Sequence, residues 1–209
     1  MVSANKIAAL HDSLTQAWHE SSPTQPLAAP SGTATTDPSP DWLDLVARQH
    51  RANFELWHIE DEARAPGASD SAIAAVKRRI DRTNQLRNDL MEAVDSALVA
   101  WLAERNLPNA NAPLNSEPPG MIVDRLSILA LKIYHTREEA DRHDAPAGHA
   151  ERNHQRLAIL TAQRSDLAGC LDQLWRETLQ GTRRFQIYRQ LKMYNDPSLN
   201  PAIYMARED

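Results

Sequence analysis

The densest group of side chains capable of chemistry lies in residues 53–64, which read NFELWHIEDEAR. In about three helical turns this stretch carries the imidazole of His58, the carboxylates of Glu60 and Asp61, and the guanidinium of Arg64. Apolar residues share the same helix faces, so the helix is predicted to be buried on more than one side. Because a buried charge is costly unless it is paired or bound, the pattern predicts either a network of ion pairs or a binding site.

Four carboxylates could hold a divalent metal. Glu60 and Asp61 lie on this helix, and Glu92 and Asp95 lie one turn apart on the next. Mg²⁺ and Mn²⁺ are bound by carboxylate oxygens and keep waters that a phosphate can replace. The plan is similar to that of the all-α nucleotide pyrophosphatases, which pair two acidic motifs, although those usually begin with Glu-x-x-Glu. In this interpretation His58 and Glu60 are the candidate catalytic residues, with His58 as general base or further ligand.

An iron site is the second metal hypothesis. Ferritin-like bundles combine two Glu-x-x-His motifs with one Glu from each of two other helices. The residues that could form such a di-iron carboxylate oxidase here are Glu55, His58, Glu92, Glu138, Glu151 and His154. The second motif lies in a strongly polar stretch at a helix start, where exposed side chains are the ordinary outcome. Iron is therefore the runner-up to Mg²⁺ or Mn²⁺.

Cationic and amide side chains set within or beside apolar helix faces predict a site for a small anionic molecule, such as a phosphorylated metabolite. An arginine cannot lose its charge, so a buried one needs a carboxylate or a phosphate. The candidate ligand-binding residues are Asn53, Arg64, Asn84, Arg87, Asn88, Arg125, Lys192, Asn195 and Asp196. Alternatively, aspartates pair with these arginines in a closed ion network. The protein would then be a non-catalytic scaffold whose partner is another protein.

Helical periodicity covers most of the chain and predicts an all-α bundle of five longer helices and a short C-terminal helix. The five longer helices are predicted over 3–20, 41–64, 69–106, 120–143 and 149–180, and the short one carries Phe185, Tyr188 and Leu191. The predicted organisation is an N-terminal helix (1–20), a Pro-rich flexible linker (21–40), a single all-α domain (41–204) and a tail (205–209). The short connection after Arg64 makes the helices on either side antiparallel neighbours.

Composition excludes several classes. The net charge of −5 leaves no general basic surface for nucleic acid. No apolar run is long enough for a transmembrane helix, so no membrane partner is expected. The single cysteine, Cys170, rules out an intramolecular disulfide and fits the cytoplasm. A homo-oligomer is left open, and so is the choice between an enzyme and a binding protein.

Four blocks resemble a known pattern. They are residues 53–64, 80–89 (IDRTNQLRND), 124–129 (DRLSIL) and 192–197 (KMYNDP). They resemble the signature blocks of a bacterial family known as a domain of unknown function, and the resemblance covers about residues 40–204. It implies that these polar residues belong to one family pattern and implies no particular activity. The residues themselves favour a polar internal site for an anionic small molecule, with divalent-metal-dependent hydrolysis as the enzymatic version.

Overall fold

The computed structural model describes residues 3–21, 41–191, 198–201 and 205. Five α-helices form a bundle, and the described residues contain no β-strand. The helices are α1 (Ala4–Glu20), α2 (Asp41–Glu62), α3 (Asp70–Ala103), α4 (Pro119–Ala140) and α5 (His149–Leu179). The predicted all-α class and its five longer helices are confirmed. The predicted linker over 21–40 lies almost wholly outside the described residues.

Local chemistry sets the ends of these helices. The hydroxyl of Ser69 accepts a hydrogen bond from the backbone N–H of Ala72 at 3.3 Å and so caps α3. Pro119 opens α4, where its missing N–H costs nothing. Gly181 follows α5 with φ of 71°, the left-handed conformation that glycine adopts without strain. Each of these residues punctuates the helical pattern in the sequence as well.

Residues 182–191 correct the prediction of a short sixth helix. The segment is not helical and lies beside the loop before α4: the Arg184 N–H donates to the Pro113 carbonyl at 3.0 Å, and the Asn115 N–H donates to the Arg184 carbonyl at 2.7 Å. The loop thus satisfies backbone groups that a helix would pair internally. Phe185 is buried in the core and Leu191 is exposed, so the apolar triplet is not one buried face. Residues 192–197 lie outside the described part of the chain.

The core is organised around α4, which packs against each of the other four helices. Its apolar run contributes Leu126, Ala130 and Leu131, all essentially buried. α1 belongs to the same core, because Ala4 and Ile7 are fully buried in it. The first N–H of α1, that of Ala4, donates to Asp172 of α5 at 2.9 Å. α1 is therefore an integral layer of the bundle in this structure.

The start of α4 lies directly on α3 at Gly120. The N–H of Gly120 donates to the Asp95 carboxylate at 2.6 Å. A Cβ at this position would lie 2.5 Å from the carbonyl oxygen of Met91 and 2.8 Å from Asp95 Oδ2. Only glycine allows this approach, which brings Asp124, one turn later on α4, between α2 and α3.

None of the helices described here combines the length and apolar character needed to cross a bilayer.

Candidate functional site

The buried carboxylate of Asp124 is the centre of a polar network between α2, α3 and α4. It accepts hydrogen bonds from Gln49 Nε2 at 2.5 Å, from Asn53 Nδ2 at 3.0 Å and from Arg87 Nε at 2.7 Å. Arg87 Nη2 donates to its second oxygen, so the guanidinium binds it through two nitrogens. This hydrogen bond raises the pKa of Arg87 further above its ordinary value. Both oxygens of the carboxylate are thus bound, by donors from Gln49, Asn53 and Arg87.

The network continues through a buried imidazole toward α1. Asn53 Nδ2 also donates to Ser127 Oγ at 2.9 Å, and Ser127 Oγ lies 2.7 Å from His50 Nδ1. His50 Nε2 in turn lies 2.9 Å from Thr15 Oγ1. Burial lowers the pKa of His50 to about 3, so the ring is neutral at neutral pH. Ser127 and His50 are fully buried, so this pair is structural and cannot act as a nucleophile and its base.

His11 lies against this network without joining it. Its ring stacks on that of His50 at 4.4 Å between centroids, and it is fully buried. Neither ring nitrogen has a hydrogen-bond partner among the described residues. Burial first, and then the nearby His50 and Arg164, hold the pKa of His11 well below its ordinary value. An unpaired buried imidazole of this kind destabilises the fold.

Two cavities flank Arg87. One, of about 430 Å³, lies between α2, α3 and α4. A second, of about 290 Å³, shares Asn84 and Arg87 with it. Together they are lined by six of the predicted ligand-binding residues: Asn53, Arg64, Asn84, Arg87, Asn88 and Arg125. Their role in binding stays a prediction, and the other three, Lys192, Asn195 and Asp196, lie outside the described residues. We call the first cavity the α2–α4 cleft.

A larger cavity, of about 840 Å³, lies between α4 and α5. Four of its charged lining residues form two ion pairs: Arg125 Nη1 lies 2.8 Å from Glu117, and Arg183 Nε lies 3.0 Å from Glu177. Size alone does not make a site. The α2–α4 cleft is the stronger candidate, because the buried Asp124 network leads into it.

Three of the four predicted metal-binding carboxylates have separate hydrogen-bond partners. Glu60 accepts a hydrogen bond from Arg64 Nη1 at 2.9 Å. Glu92 accepts one from the Gln190 N–H at 2.7 Å, and Asp95 accepts one from the Gly120 N–H at 2.6 Å. Asp61 is exposed at the edge of the cleft. Burial raises the pKa of Asp95 to about 7, and the hydrogen bond from the Gly120 N–H opposes this shift. Within the described ranges, these carboxylates are not among the groups whose ligand atoms converge.

The predicted di-iron residues are also dispersed. Glu151 and His154 are exposed on α5, and Glu55 pairs with Arg51 of its own helix at 3.0 Å. The remaining pair behaves differently, because His58 and Glu138 come close enough to interact electrostatically. They do so within a cluster of histidines.

His19 of α1, His58 of α2 and His135 of α4 form this cluster, and we name it the histidine cluster. One potential ligand atom from each ring lies within 4.8 Å of the other two. Over the residues that the structure describes, this is the group of His, Cys, Asp and Glu side chains that could hold a metal ion. Burial, with His19 and His135 nearby, lowers the pKa of His58, while Asp61 and Glu138 oppose this effect.

Of the three histidines, only His58 is among the site residues that the sequence predicts. His135 and Glu138 are one turn apart, and that spacing was the available signal. His19 lies on an N-terminal helix that the sequence pattern separates from the main domain by the Pro-rich segment. Its contact with the other two rings depends on how α1 packs, which a periodicity cannot reveal.

Comparison with known proteins gives a family and no activity. Residues 43–187 match a family model described as "Protein of unknown function (DUF4254)". The match covers α3, α4 and α5, together with α2 apart from its first two residues, and it leaves out α1 with His19. No curated protein and no solved structure matches the chain.

Proposed function

We propose that the α2–α4 cleft binds a small molecule carrying an acidic group. The chain belongs to the DUF4254 family of unknown function. The ligand class is a carboxylate or phosphate ester with an apolar or flat body. The observation that carries the proposal is Arg87, which lies at the boundary of the two cavities. Three of its N–H groups make hydrogen bonds to Asp124 and Asn84 within the described chain. A guanidinium has five N–H groups, so two are left for a ligand.

Preorganisation supports this role. Asp124 orients the guanidinium of Arg87 through two nitrogens, and Gln49 and Asn53 orient Asp124. A donor that is already ordered loses little conformational entropy when a ligand binds. Because Asp124 neutralises Arg87, the ligand is recognised there through hydrogen-bond geometry more than through net charge.

Arg64 supplies the more mobile cation of the cleft. Its side chain is 69% exposed, and its partner Glu60 is 43% exposed. An exposed pair of this kind contributes little stability, so a ligand anion can replace Glu60 at low cost.

The cleft also has an apolar wall. It consists of Leu56, Trp57, Ile80, Ile128 and Leu131. A volume of about 430 Å³ lies in the range of small-molecule sites, which combine apolar walls with a few convergent polar groups. Trp57 offers a flat surface for an unsaturated or aromatic ligand.

A charge-matched series of probes tests the proposal. Benzoate and phenyl phosphate, benzyl alcohol and benzylammonium share one ring and differ in charge. We expect the two anions to raise Tm and the other two to have little effect. Ile80→Trp should fill the cleft and remove the response, whereas Arg82→Gln, at an exposed arginine of the same helix, should retain it. A response that ignores charge, or that survives Ile80→Trp in a folded variant, would refute the proposal.

A scaffold with a closed ion network is the second candidate. The pairing of Arg125 with Glu117 and of Arg164 with Asp12 favours it, since arginines in both places already have carboxylate partners. The same probe series separates the two candidates, because a scaffold predicts no shift with any small probe.

A further inference from the structure

We propose that the histidine cluster, His19, His58 and His135, binds a divalent transition metal of the Zn²⁺ class. This inference is independent of the cleft and its ligand. It also differs from the carboxylate site for Mg²⁺ or Mn²⁺ that the sequence pattern favours, because its donors are imidazole nitrogens. Imidazole suits zinc, copper, nickel and iron, whereas magnesium and manganese prefer oxygen.

Hydrogen bonds orient two of the three ligands. His19 Nδ1 lies 2.7 Å from the carbonyl oxygen of Thr15, which can only accept, so this nitrogen carries the proton. His135 Nδ1 lies 2.8 Å from a carboxylate oxygen of Glu138 and donates in the same way. With the proton on Nδ1, the nitrogen of each ring that can bind a metal is Nε2. Metal-binding histidines characteristically donate their other N–H to a backbone carbonyl or a carboxylate.

Both of these Nε2 atoms lack a partner. The Nε2 atoms of His19 and His135 are buried and accept no hydrogen bond from any described residue. Buried acceptors are almost always satisfied by protein, water or an ion. Two such acceptors beside a third imidazole call for a shared partner, and a cation satisfies all three lone pairs at once.

Ring geometry agrees with convergence on one point. The ring pairs His19–His58, His19–His135 and His58–His135 are edge-to-face, with interplanar angles of 66°, 72° and 84°. Zinc binds imidazole nitrogen at about 2.0–2.1 Å, which places tetrahedral ligand atoms about 3.3 Å apart. The ligand atoms here lie within 4.8 Å of one another, so binding draws the rings together by no more than about 1.5 Å. A fourth position is left for water or a substrate atom, as in catalytic zinc sites.

Packing alone explains the cluster less well. Phe54, Trp57 and Tyr134 surround the histidines, and Tyr134 stacks on His19 at 4.2 Å. An aromatic cluster would be equally well packed with phenylalanine at these positions, without two unpaired acceptors. The nearby carboxylates of Asp61 and Glu138 also favour a cation at this place.

The metal would connect three helices. His19 comes from α1, which precedes the family-matched segment, while His58 and His135 lie within it. Binding at the histidine cluster therefore holds α1 against α2 and α4. This gives a structural readout that needs no knowledge of any activity.

The experiment uses the full chain after chelation and dialysis. We expect one Zn²⁺ per chain, a tetrahedral Co²⁺ spectrum, a rise in Tm and slower amide exchange in α1, and no such response to Mg²⁺. His19→Gln, His58→Gln and His135→Gln should each weaken Zn²⁺ binding by about a hundredfold or more. His154→Gln, at an exposed histidine of α5, is the matched control and should bind as the parent does.

Glu138→Gln provides a second arm that keeps all three ligands. Removing the carboxylate that orients His135 should weaken Zn²⁺ binding about tenfold while leaving one site per chain. A parent protein that binds no Zn²⁺ or Co²⁺ would overturn the proposal. So would stoichiometric binding that survives all three ligand variants, since the metal would then be elsewhere. Neither outcome bears on the probes of the α2–α4 cleft, so the two proposals fail separately.

Discussion

His11→Leu should stabilise this protein, although His11 is fully buried. Its two ring nitrogens have no partner in the described chain, and an unpaired buried polar group costs about 1–3 kcal/mol. Leucine is similar in size and removes both polar atoms, while the stacking contact with His50 at 4.4 Å is lost. The stacking of aromatic rings contributes about 0.5–1.5 kcal/mol. We therefore expect a net gain of about 1 kcal/mol at neutral pH.

Acidification should enlarge this gain. The pKa values of His11 and His50 are lowered in the fold from an ordinary value of 6.5. Each neutral imidazole therefore contributes stability that is fully present above pH 6.5 and is lost as pH falls below it, because only the unfolded chain binds the proton. Between about pH 7.5 and about pH 5.5 the loss is about 1.4 kcal/mol per imidazole. His11→Leu removes one of these two losses.

Chemical denaturation of the parent and the variant at both pH values measures the effect. Asp95 acts in the opposite direction, because its raised pKa makes the fold gain stability as pH falls toward the ordinary carboxyl range. This contribution is the same in both proteins and cancels in their difference. His154→Leu, at an exposed histidine, should change stability by less than about 0.5 kcal/mol at either pH. A destabilised His11→Leu protein, or a difference that does not grow on acidification, would refute the reasoning.

Three further predictions concern the packing around the site. Gly120→Ala should destabilise the fold by about 2 kcal/mol or more, because the added Cβ collides with backbone and carboxylate atoms of α3. Gly169→Ala is the control: nothing lies within 4 Å of its added Cβ, so it should stabilise the fold by about 0.5–1 kcal/mol. Thermal denaturation of the two variants measures both effects. Arg87→Leu should destabilise by about 3 kcal/mol by leaving the Asp124 carboxylate buried and short of donors, and Arg87→Leu/Asp124→Leu should cost less than the sum of the two single changes in a double-mutant cycle. Glu60→Gln should change the free energy of unfolding in urea by less than about 0.5 kcal/mol, since its ion pair is exposed, and a loss of several kcal/mol would place Glu60 in a buried network after all.

The helices were predictable because their signals are local. The apolar spacing and the Pro- and Gly-containing breaks lie within each segment, and they predict all five longer helices. The prediction of a short sixth helix was wrong because the hydrogen bonds that replace it come from a distant part of the chain. The backbone of Arg184 forms hydrogen bonds with Pro113 and Asn115, which lie about seventy positions earlier in the chain. No sequence signal near Arg184 predicts this pairing.

The candidate site was predictable only in part, for the same reason. Spacing of three or four residues shows which side chains of one helix are neighbours, and Asn84 and Arg87, three positions apart, do form a hydrogen bond. It does not show which faces meet. The sequence pattern assigned a metal to adjacent carboxylates, while each of Glu60, Glu92 and Asp95 has its own partner. The grouping of His19 with the histidines of α2 and α4 follows from tertiary packing alone.

The buried polar network links the two proposed sites through one residue of α1. Thr15 places its hydroxyl 2.9 Å from His50 Nε2, and its carbonyl accepts from His19 Nδ1 at 2.7 Å. From His50 the hydrogen bonds run through Ser127 and Asn53 to the carboxylate that orients Arg87. A well-packed apolar core of the same volume would be at least as stable as such a network. The polar residues add directional hydrogen bonds, which specify one arrangement of α1, α2 and α4. In that arrangement the imidazole of His19 and the guanidinium of Arg87 are both held in place. The apolar core, to which Leu102, Leu171 and Trp175 belong, packs the same helices together without fixing such directions.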